Sequence, residues 1–475
     1  MTNPFGYSNR LLQPSLRACE AISRIARLIY HRGVSPFGVP LNFKTNYILM
    51  NKSITIVFLL CFITTVNAQE KRVLTFNEYL NNVKNNNISY LVEKYNVDIA
   101  DANMKAAGVF PDPELSVSYA NNQNWNLQMG YGIDAELSYI LELGGKRKAR
   151  MLVAQSEKEM TIALLEDYFR NLRADATIAY LTALKQKKMY EIQQSSYLRM
   201  FELAKADSVR HSLGSIAEVD ARQSKLEAAS MLNDVYSGEG ELREILAQLM
   251  LFEGNKNMEM PDSIAGELVY SKHDFNLHDL IITAQNNRAD LQAAIKSKEV
   301  SQNNLRLAKA NRAIDLGISI GGNYSSIVRN DIAPAPEFKG ITAGINIPLK
   351  FSNANKGELL AAQITVKQSE LEYEAIELQI GAEVVQSYNK YIINCRQVEQ
   401  FNKGLLDDAE IILNKKIYSY ERGETSMLEV LNAQRTYNDI QISYNETLYN
   451  CVVALIELER ACGIFQLPSV LADGN

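Results

Sequence analysis

Residues 149–155 read Ala-Arg-Met-Leu-Val-Ala-Gln, and residues 357–363 read Gly-Glu-Leu-Leu-Ala-Ala-Gln. Working outward from this pair, further landmarks recur in the same order. They are Leu80, Asn86, Asn87 and Leu91 against Leu280, Asn286, Asn287 and Leu291, and the turn at Leu213-Gly214-Ser215 against the turn at Arg422-Gly423-Glu424. Landmarks repeated in a fixed order indicate a duplicated architecture. The chain is therefore predicted to hold two repeats, at residues 69–252 and 276–467, joined by a linker at residues 253–275.

The first 68 residues are predicted to lie outside the mature protein. Met-Asn-Lys at residues 50–52 is followed by an apolar run from Ile54 to Val66, and Ala68 offers a small-residue cleavage site. This order is typical of a secretory signal peptide at residues 50–68, because about 13 apolar residues are too few to anchor a chain across ~30 Å of hydrocarbon. Residues 1–49 are interpreted as a mis-assigned upstream extension. The alternative is a genuine extension in front of an internal signal.

The charge argues against a nucleic-acid-binding protein, and the cysteine content argues against a protein held together by a disulfide framework. Without residues 1–68 the chain keeps 42 basic and 54 acidic residues, a net charge of about −12 with His neutral. No nucleic-acid partner is expected, because nucleic-acid binding calls for a basic face. Three cysteines remain, Cys395, Cys451 and Cys462. So few in so long a chain form no disulfide framework, and their apolar helical surroundings predict small core residues.

Four runs with almost no Gly or Pro predict long helices, at residues 146–207, 217–252, 358–420 and 427–462. Apolar residues recur every seven positions in the third run at Ile364, Leu371, Leu378, Val385 and Ile392, and in the fourth at Tyr437, Tyr444, Cys451 and Leu458. This period predicts coiled-coil packing. A run of about 60 residues would span ~90 Å, so a rod is expected. A secreted coiled-coil scaffold satisfies these observations equally well.

Four segments alternate apolar with small or polar residues, as membrane-barrel strands do. They lie at residues 114–120, 128–143, 316–321 and 341–347. Four strands cannot close a barrel around a lumen. The strands are therefore either shared between subunits or folded into a small sandwich, with polar loops at residues 121–126 and 327–337.

Three stretches carry a family resemblance. Residues 110–115 read Phe-Pro-Asp-Pro-Glu-Leu, residues 141–149 read Leu-Glu-Leu-Gly-Gly-Lys-Arg-Lys-Ala, and residues 420–432 read Tyr-Glu-Arg-Gly-Glu-Thr-Ser-Met-Leu-Glu-Val-Leu-Asn. With the duplicated order of helix, strand, strand, long helix, tip and long helix, residues 72–467 resemble the TolC-like outer-membrane efflux family. The second stretch is more similar to the heavy-metal (CzcC/CusC-like) branch than to the multidrug branch.

The resemblance implies an α+β membrane protein of the cell outer membrane that extends into the periplasm. It would be a homotrimer in which each chain gives four strands to one 12-stranded β-barrel in outer-membrane lipid, continued by a periplasmic α-helical coiled-coil tunnel. The linker at residues 253–275 and the tail at residues 468–475 would surround the tunnel at its equator. Such a channel is a passive export duct that receives substrate from an inner-membrane pump of the RND type through a periplasmic adaptor. No cofactor, metal or enzymatic activity is expected, since no catalytic constellation is visible in the sequence.

The resemblance also assigns adaptor docking to the two tips between long helices. The matching positions are Leu213, Gly214, Ser215 and Ile216 in the first repeat and Arg422, Gly423, Glu424 and Thr425 in the second. The other interpretation is structural, because glycine permits the tight reversal that a helical hairpin needs.

A periplasmic gate is the second site that the resemblance implies. Tyr420 matches a tyrosine that bonds to the position of Asp220, and Glu429 matches a position in an acidic pore ring. Three copies of Glu429 around one axis would attract cations, whereas the alternative is an ordinary solvated residue. The second acidic position of the ring is Asn432 here, which halves the ring. His211 holds in the first repeat the place of Tyr420 in the second.

Overall fold

The computed structural model describes residues 72–123, 128–350 and 355–465. The predicted extension at residues 1–49, the signal peptide at residues 50–68 and the tail at residues 468–475 lie outside the described residues. In chain order the elements are β1 (Val73–Leu74), α1 (Phe76–Asn86), α2 (Ile88–Ala107), β2 (Glu114–Asn121), β3 (Tyr131–Leu141), α3 (Lys146–Ser212), α4 (Glu218–Glu253), β4 (Ser263–Ile264), α5 (Leu277–Asn287), α6 (Ala289–Ala310), β5 (Leu316–Ser325), β6 (Phe338–Asn346), α7 (Lys356–Phe401), α8 (Leu405–Glu421) and α9 (Met427–Cys462). Two helices and two strands are followed in the first repeat by the long helix α3 and the returning helix α4, and in the second repeat by α7, α8 and the returning helix α9.

The longest helix, α3, runs for 67 residues without a break, which corresponds to ~100 Å at 1.5 Å per residue. It begins at a Gly-Gly turn in which both Gly144 and Gly145 have positive φ, 74° and 72°. A Cβ on Gly144 would lie 2.3 Å from the Cβ of Ala313. The turn that leads from β3 into α3 therefore requires glycine for both its backbone conformation and its close approach to the second repeat.

The corresponding helix of the second repeat is divided, so the predicted continuous run at residues 358–420 is wrong at one point. Helix α7 ends at Phe401 and α8 begins at Leu405. Gly404 has φ +105°, far from the helical value near −63°, and no residue with a Cβ adopts it readily. Gly381 stays helical inside α7, so the presence of a glycine alone did not reveal the break.

The four longer strands form one antiparallel sheet in the order β2-β3-β5-β6. Its register places apolar residues opposite one another, with Leu115 opposite Leu137, Leu137 opposite Ile320, and Ile320 opposite Ala343. Paired residues share a face and neighbours alternate, so the small and polar residues gather on the other face. Those residues include Ser116, Ser118, Glu136, Ser319, Gly321, Thr342 and Gly344. Within the described ranges, β2 and β6 each keep one edge unpaired.

The main core lies where α3, α7 and α9 meet the short elements of the linker. Strand β1 pairs in parallel with β4, which joins Leu74 to Ile264. The buried hydroxyl of Tyr180 lies 2.9 Å from the carbonyl oxygen of Leu74 and 2.7 Å from that of Ala265. The linker at residues 253–275 is thereby held against α3. None of the described helices has an apolar window long enough to cross a bilayer.

The two predicted heptad patterns differ in outcome. In α9, the heptad residues Tyr437, Cys451 and Leu458 are buried as predicted. In α7, Leu371 and Leu378 remain 67% and 77% exposed, and Ile364 is exposed as well. Helix α7 buries other residues instead, namely Ile380, Val384, Tyr391, Cys395 and Val398. The first part of the α7 pattern therefore has no packing partner within the described part of the chain, because a heptad period specifies a contact face and not the helix that covers it.

Candidate functional site at the helix tips

Both tips end a helix in the same way. Ser215 N–H donates to the carbonyl of Arg210 at 2.8 Å and Gly214 N–H to that of His211 at 2.9 Å. Glu424 and Gly423 repeat the two bonds at 2.9 and 3.0 Å with the carbonyls of Ser419 and Tyr420. This is the Schellman arrangement, which requires a left-handed residue after the helix end. Gly214 and Gly423 have φ of +73° and +75°, so the structural role assigned to both glycines is confirmed.

The predicted docking residues are accessible at these tips. Leu213 is 74% exposed, and Gly214, Ser215, Arg422, Gly423 and Glu424 are also exposed, whereas Ile216 and Thr425 are half-buried. Arg210 connects the two tips, because its Nη2 donates to the carbonyls of Tyr420 and Glu421 at 3.4 and 3.3 Å. All eight predicted docking residues therefore lie at one end of the helices.

The hydroxyl of Tyr420 has a different partner from the expected one. It donates to Oδ1 of Asp207 at 3.1 Å, with Tyr420 5% and Asp207 0% exposed. Arg210 adds an ion pair to the same oxygen at 3.5 Å. The predicted bond from Tyr420 to Asp220 is therefore wrong within the described chain. Asp207 lies on the buried face of α3 toward α8, whereas Asp220 lies in the first turn of α4 and is only half-buried.

Burial dominates the electrostatics of this cluster, which we call the tip latch (Asp207, Arg210 and Tyr420). Loss of hydration raises the pKa of Asp207 above its ordinary value of 3.8, and the nearby charge of Asp220 raises it further. The pKa of Tyr420 is raised as well, first by burial and then by Asp207. A buried carboxylate that accepts a phenol hydrogen bond and faces a guanidinium ties α3 to α8 just before both helices end. Separating the tips would break these contacts.

Glu429, the predicted acidic position, is exposed and forms an ion pair. Its Oε2 lies 2.5 Å from Nζ of Lys416 on α8, and this hydrogen bond lowers the pKa of Glu429. Asn432 lies one helical turn further along α9 and is exposed. The chain therefore presents at this position an acid that is already paired with a base.

Sequence reasoning missed Asp207, Arg210 and Lys416. An acid and an arginine three residues apart in the last turns of α3 were visible in the sequence, but nothing there shows which helix face is buried. No group of three or more His, Cys, Asp or Glu side chains within the described ranges is placed to hold a metal ion.

Comparison with known proteins gives consistent matches. The family described as "Outer membrane efflux protein" matches residues 280–464. The cobalt-zinc-cadmium resistance protein CzcC of Cupriavidus metallidurans is 22% identical over 400 residues, which cover 82% of this chain and 90% of that protein. The probable outer membrane lipoprotein SilC of Salmonella typhimurium is 23% identical over 398 residues, covering 80% and 83%. A solved structure of CusC superposes with a TM-score of 0.66 at 18% identity, covering 82% of this chain and 92% of that one, which shows a shared fold.

Proposed function

We propose, from the premise that this chain is a member of the TolC-like outer-membrane efflux family, that it is the outer-membrane channel of a tripartite efflux system. It acts as a passive duct, performs no chemistry, and takes its driving energy from an inner-membrane pump of the RND type. A periplasmic adaptor connects the pump to the tips of the helices. A relative whose name states cobalt-zinc-cadmium resistance makes divalent metal cations the first cargo to test.

The observation that carries this proposal is the two-faced sheet β2-β3-β5-β6. Its apolar face includes Leu115, Val117 and Ile320, all strongly exposed, and Ile341 at 86% exposure. Water penalises such a face by roughly 25 cal/mol per Å², whereas membrane hydrocarbon does not. The polar and small residues of the opposite face suit a water-filled lumen. A soluble coiled-coil scaffold, the alternative interpretation, would leave the apolar face without cover.

The assembly follows from two features of a single chain, the unpaired edges of its sheet and the exposed heptad residues of α7. Three copies would pair β6 of one chain with β2 of the next, which gives a closed 12-stranded barrel without edges. The exposed heptad residues of α7, Ile364, Leu371 and Leu378, would pack against a helix of a neighbouring copy. In this arrangement residues 69–252 and 276–467 are the two repeats of each protomer, and the linker at residues 253–275 surrounds the helical tunnel.

The tips then receive two roles. The exposed residues around Gly214 and Gly423 dock the adaptor, because tip loops at the end of paired helices are where an end-to-end partner can reach. The tip latch holds the same end closed, and Glu429 and Asn432 line the entrance. Asp220 contributes to the gate through its charge, which acts on Asp207.

Two neighbouring residues of β6 provide the test. Ile341→Arg places a charge on the apolar face, whereas Thr342→Arg places the same charge on the polar face one residue away. Arginine on the lipid face near mid-membrane costs ~2–4 kcal/mol, and lumen positions tolerate it. We expect Ile341→Arg to lose heat-modifiable trimers from the outer-membrane fraction, and Thr342→Arg to form them with altered single-channel conductance in planar bilayers.

Two results would contradict the proposal. Equal tolerance of both substitutions would show that the apolar face does not meet lipid. Recovery of the native protein from the soluble periplasmic fraction, without bilayer conductance, would favour the scaffold.

A further inference from the structure

Two of the three cysteines in the described chain lie side by side. Sγ of Cys395 on α7 is 2.9 Å from Sγ of Cys451 on α9. Both residues belong to the main core, at 4% and 3% exposure. Two thiols at this distance are within about 1 Å of the S–S bond length of 2.03–2.05 Å.

From this juxtaposition we propose that Cys395 and Cys451 form a disulfide bond that joins α7 to α9. The inference rests on the proposed function in one respect, because a chain bound for the outer membrane passes through a compartment in which disulfides form and persist.

The chemistry is a thiol–disulfide exchange. The thiolate of Cys395 attacks a sulfur of an external disulfide-bearing oxidant, and the thiolate of Cys451 then displaces that oxidant from the mixed disulfide. One S–S bond forms, the two thiols lose two protons and two electrons, and the oxidant leaves as two thiols. Once α7 and α9 have packed, and before the linker closes over them, the hydrogen bond from Cys451 lowers the pKa of the Cys395 thiol, which favours Cys395 as the attacking group.

The surroundings determine when the bond forms and how long it lasts. The backbone N–H of His273 donates to the hydroxyl of Tyr391 at 3.0 Å, and Nζ of Lys272 donates to Glu399 at 2.8 Å. These contacts hold the linker across α7, one helical turn on either side of Cys395. An oxidant must therefore reach the thiols before the linker closes over them. Reductants are excluded afterwards by the same contacts, so the bond is permanent in the folded protein.

The position of the bond gives it a structural purpose. Cys395 lies six residues before the end of α7, and the helix is interrupted between Phe401 and Leu405. The disulfide would tie the last turns of α7 to α9 just before that interruption. It closes a loop that contains α8, the second tip and the first two thirds of α9, so it fixes the base of the second hairpin and leaves the tip free.

Cys462 supplies an internal control. It is fully buried, but it lies eleven residues beyond Cys451 on α9, about 16 Å along the helix axis, too far to share in the bond. Trypsin separates the three cysteines into different peptides, because Lys390, Arg396, Arg435 and Arg460 flank them. Peptide 391–396 carries Cys395, peptide 436–460 carries Cys451, and peptide 461–475 carries Cys462.

The experiment maps these peptides in protein purified from the outer-membrane fraction. The protein is denatured in acid without reductant, alkylated and digested, and the peptides are weighed by mass spectrometry. We expect peptides 391–396 and 436–460 to be linked, with a mass lower than their sum by two hydrogen atoms, and peptide 461–475 to be alkylated. Reduction before alkylation should release three alkylated peptides.

A measurement of thermal stability accompanies the peptide map. Reductant present during denaturation should lower the thermal unfolding temperature of the native protein and of Cys462→Ala by a few degrees. It should have no effect on the variant that carries both Cys395→Ala and Cys451→Ala.

Alkylation of both Cys395 and Cys451 in protein from the outer membrane would overturn the inference and leave the proposed function intact. Absence of the protein from that membrane would instead contradict the proposed function. In that case the chain is refolded in a buffer of reduced and oxidised glutathione and mapped in the same way, and free thiols there also overturn the inference.

Discussion

The tip latch makes a quantitative prediction about Tyr420. Tyr420→Phe removes one hydroxyl and keeps the aromatic ring that packs in the buried cluster with Met200, Ala204 and Met427. Asp207 then loses the hydrogen bond at 3.1 Å from its Oδ1. Its Oδ2 already lacks a hydrogen-bond partner among the described residues, so the carboxyl group keeps the longer contact with Arg210 and its interaction with the side chain of Ser224.

The magnitude follows from burial. A hydrogen bond to a charged group contributes ~1.5–3 kcal/mol, and an acceptor left unsatisfied in the interior adds to the loss. Asp207 is 0% exposed, so no water replaces the hydroxyl. We take about 2 kcal/mol per protomer, which corresponds to a change of roughly 30-fold in the ratio of closed to open tips.

Single-channel recording in planar bilayers measures this ratio. Tyr420→Phe should spend far more time in states of high conductance than the native channel. Tyr236→Phe is the matched control, because it removes the same hydroxyl from a side chain that is 62% exposed on α4, and it should leave the recordings unchanged.

A double-mutant cycle distinguishes the two candidate acceptors. Tyr420→Phe combined with Asp207→Asn should show a coupling energy of about 1 kcal/mol or more, since both changes affect one bond. Combination with Asp220→Asn should be close to additive. Coupling to Asp220 and not to Asp207 would refute the reasoning, as would a Tyr420→Phe channel that behaves like Tyr236→Phe.

Three further predictions concern other parts of the helices. Leu378→Glu should abolish heat-modifiable trimers on gels, because a side chain whose burial contributes ~1.5–3 kcal/mol becomes charged at each interface of the proposed trimer; Thr365→Glu, which adds the same charge at an exposed position on another face of α7, should preserve them. Lys416→Gln should free Glu429 and shift the reversal potential in a salt gradient toward cation preference, and Glu429→Gln should abolish that gain. Burial raises the pKa of Asp207, so the closed tips bind this proton more tightly than tips in which the carboxyl group is hydrated, and the desolvation cost of the charged form appears as the pH rises through the folded pKa; channel opening should therefore increase with pH over this range, and Asp207→Asn should flatten the dependence.

The sequence predicts helix and strand positions well where local chemistry decides them. Residues 217–252 and 427–462 were predicted as helices and are observed as Glu218–Glu253 and Met427–Cys462. Strong periodicity and the absence of helix breakers are local signals. The interruption at Gly404 was missed because a glycine is compatible with a helix and with a break alike, and tertiary packing decides between them.

The contacts that a residue makes are harder to predict from the sequence than the helix or strand in which it lies. The heptad of α7 was visible, but the residue period does not say that Leu378 faces away from its own chain. The bond of Tyr420 was assigned to Asp220 by resemblance, whereas the structure shows Asp207 as the acceptor. A single acid inside a long helical run gives no sign that it is buried, since most charged residues on helices are solvated. The structural role of the two tip glycines was predicted correctly, because a tight reversal after a helix needs a residue with positive φ and glycine adopts it most readily.

The interruption between α7 and α8 makes the two hairpins of one chain unequal as mechanical parts. A continuous helix such as α3 transmits a bending load along its whole length, because each turn is braced by hydrogen bonds to the next. At residues 402–404 the regular helix is interrupted by a turn, and we expect a force applied to the second tip to bend the hairpin there. The first tip is therefore supported by a continuous helix, whereas the second tip is supported by a helix that is interrupted. A partner that pushes on both tips with equal force would displace the second tip further.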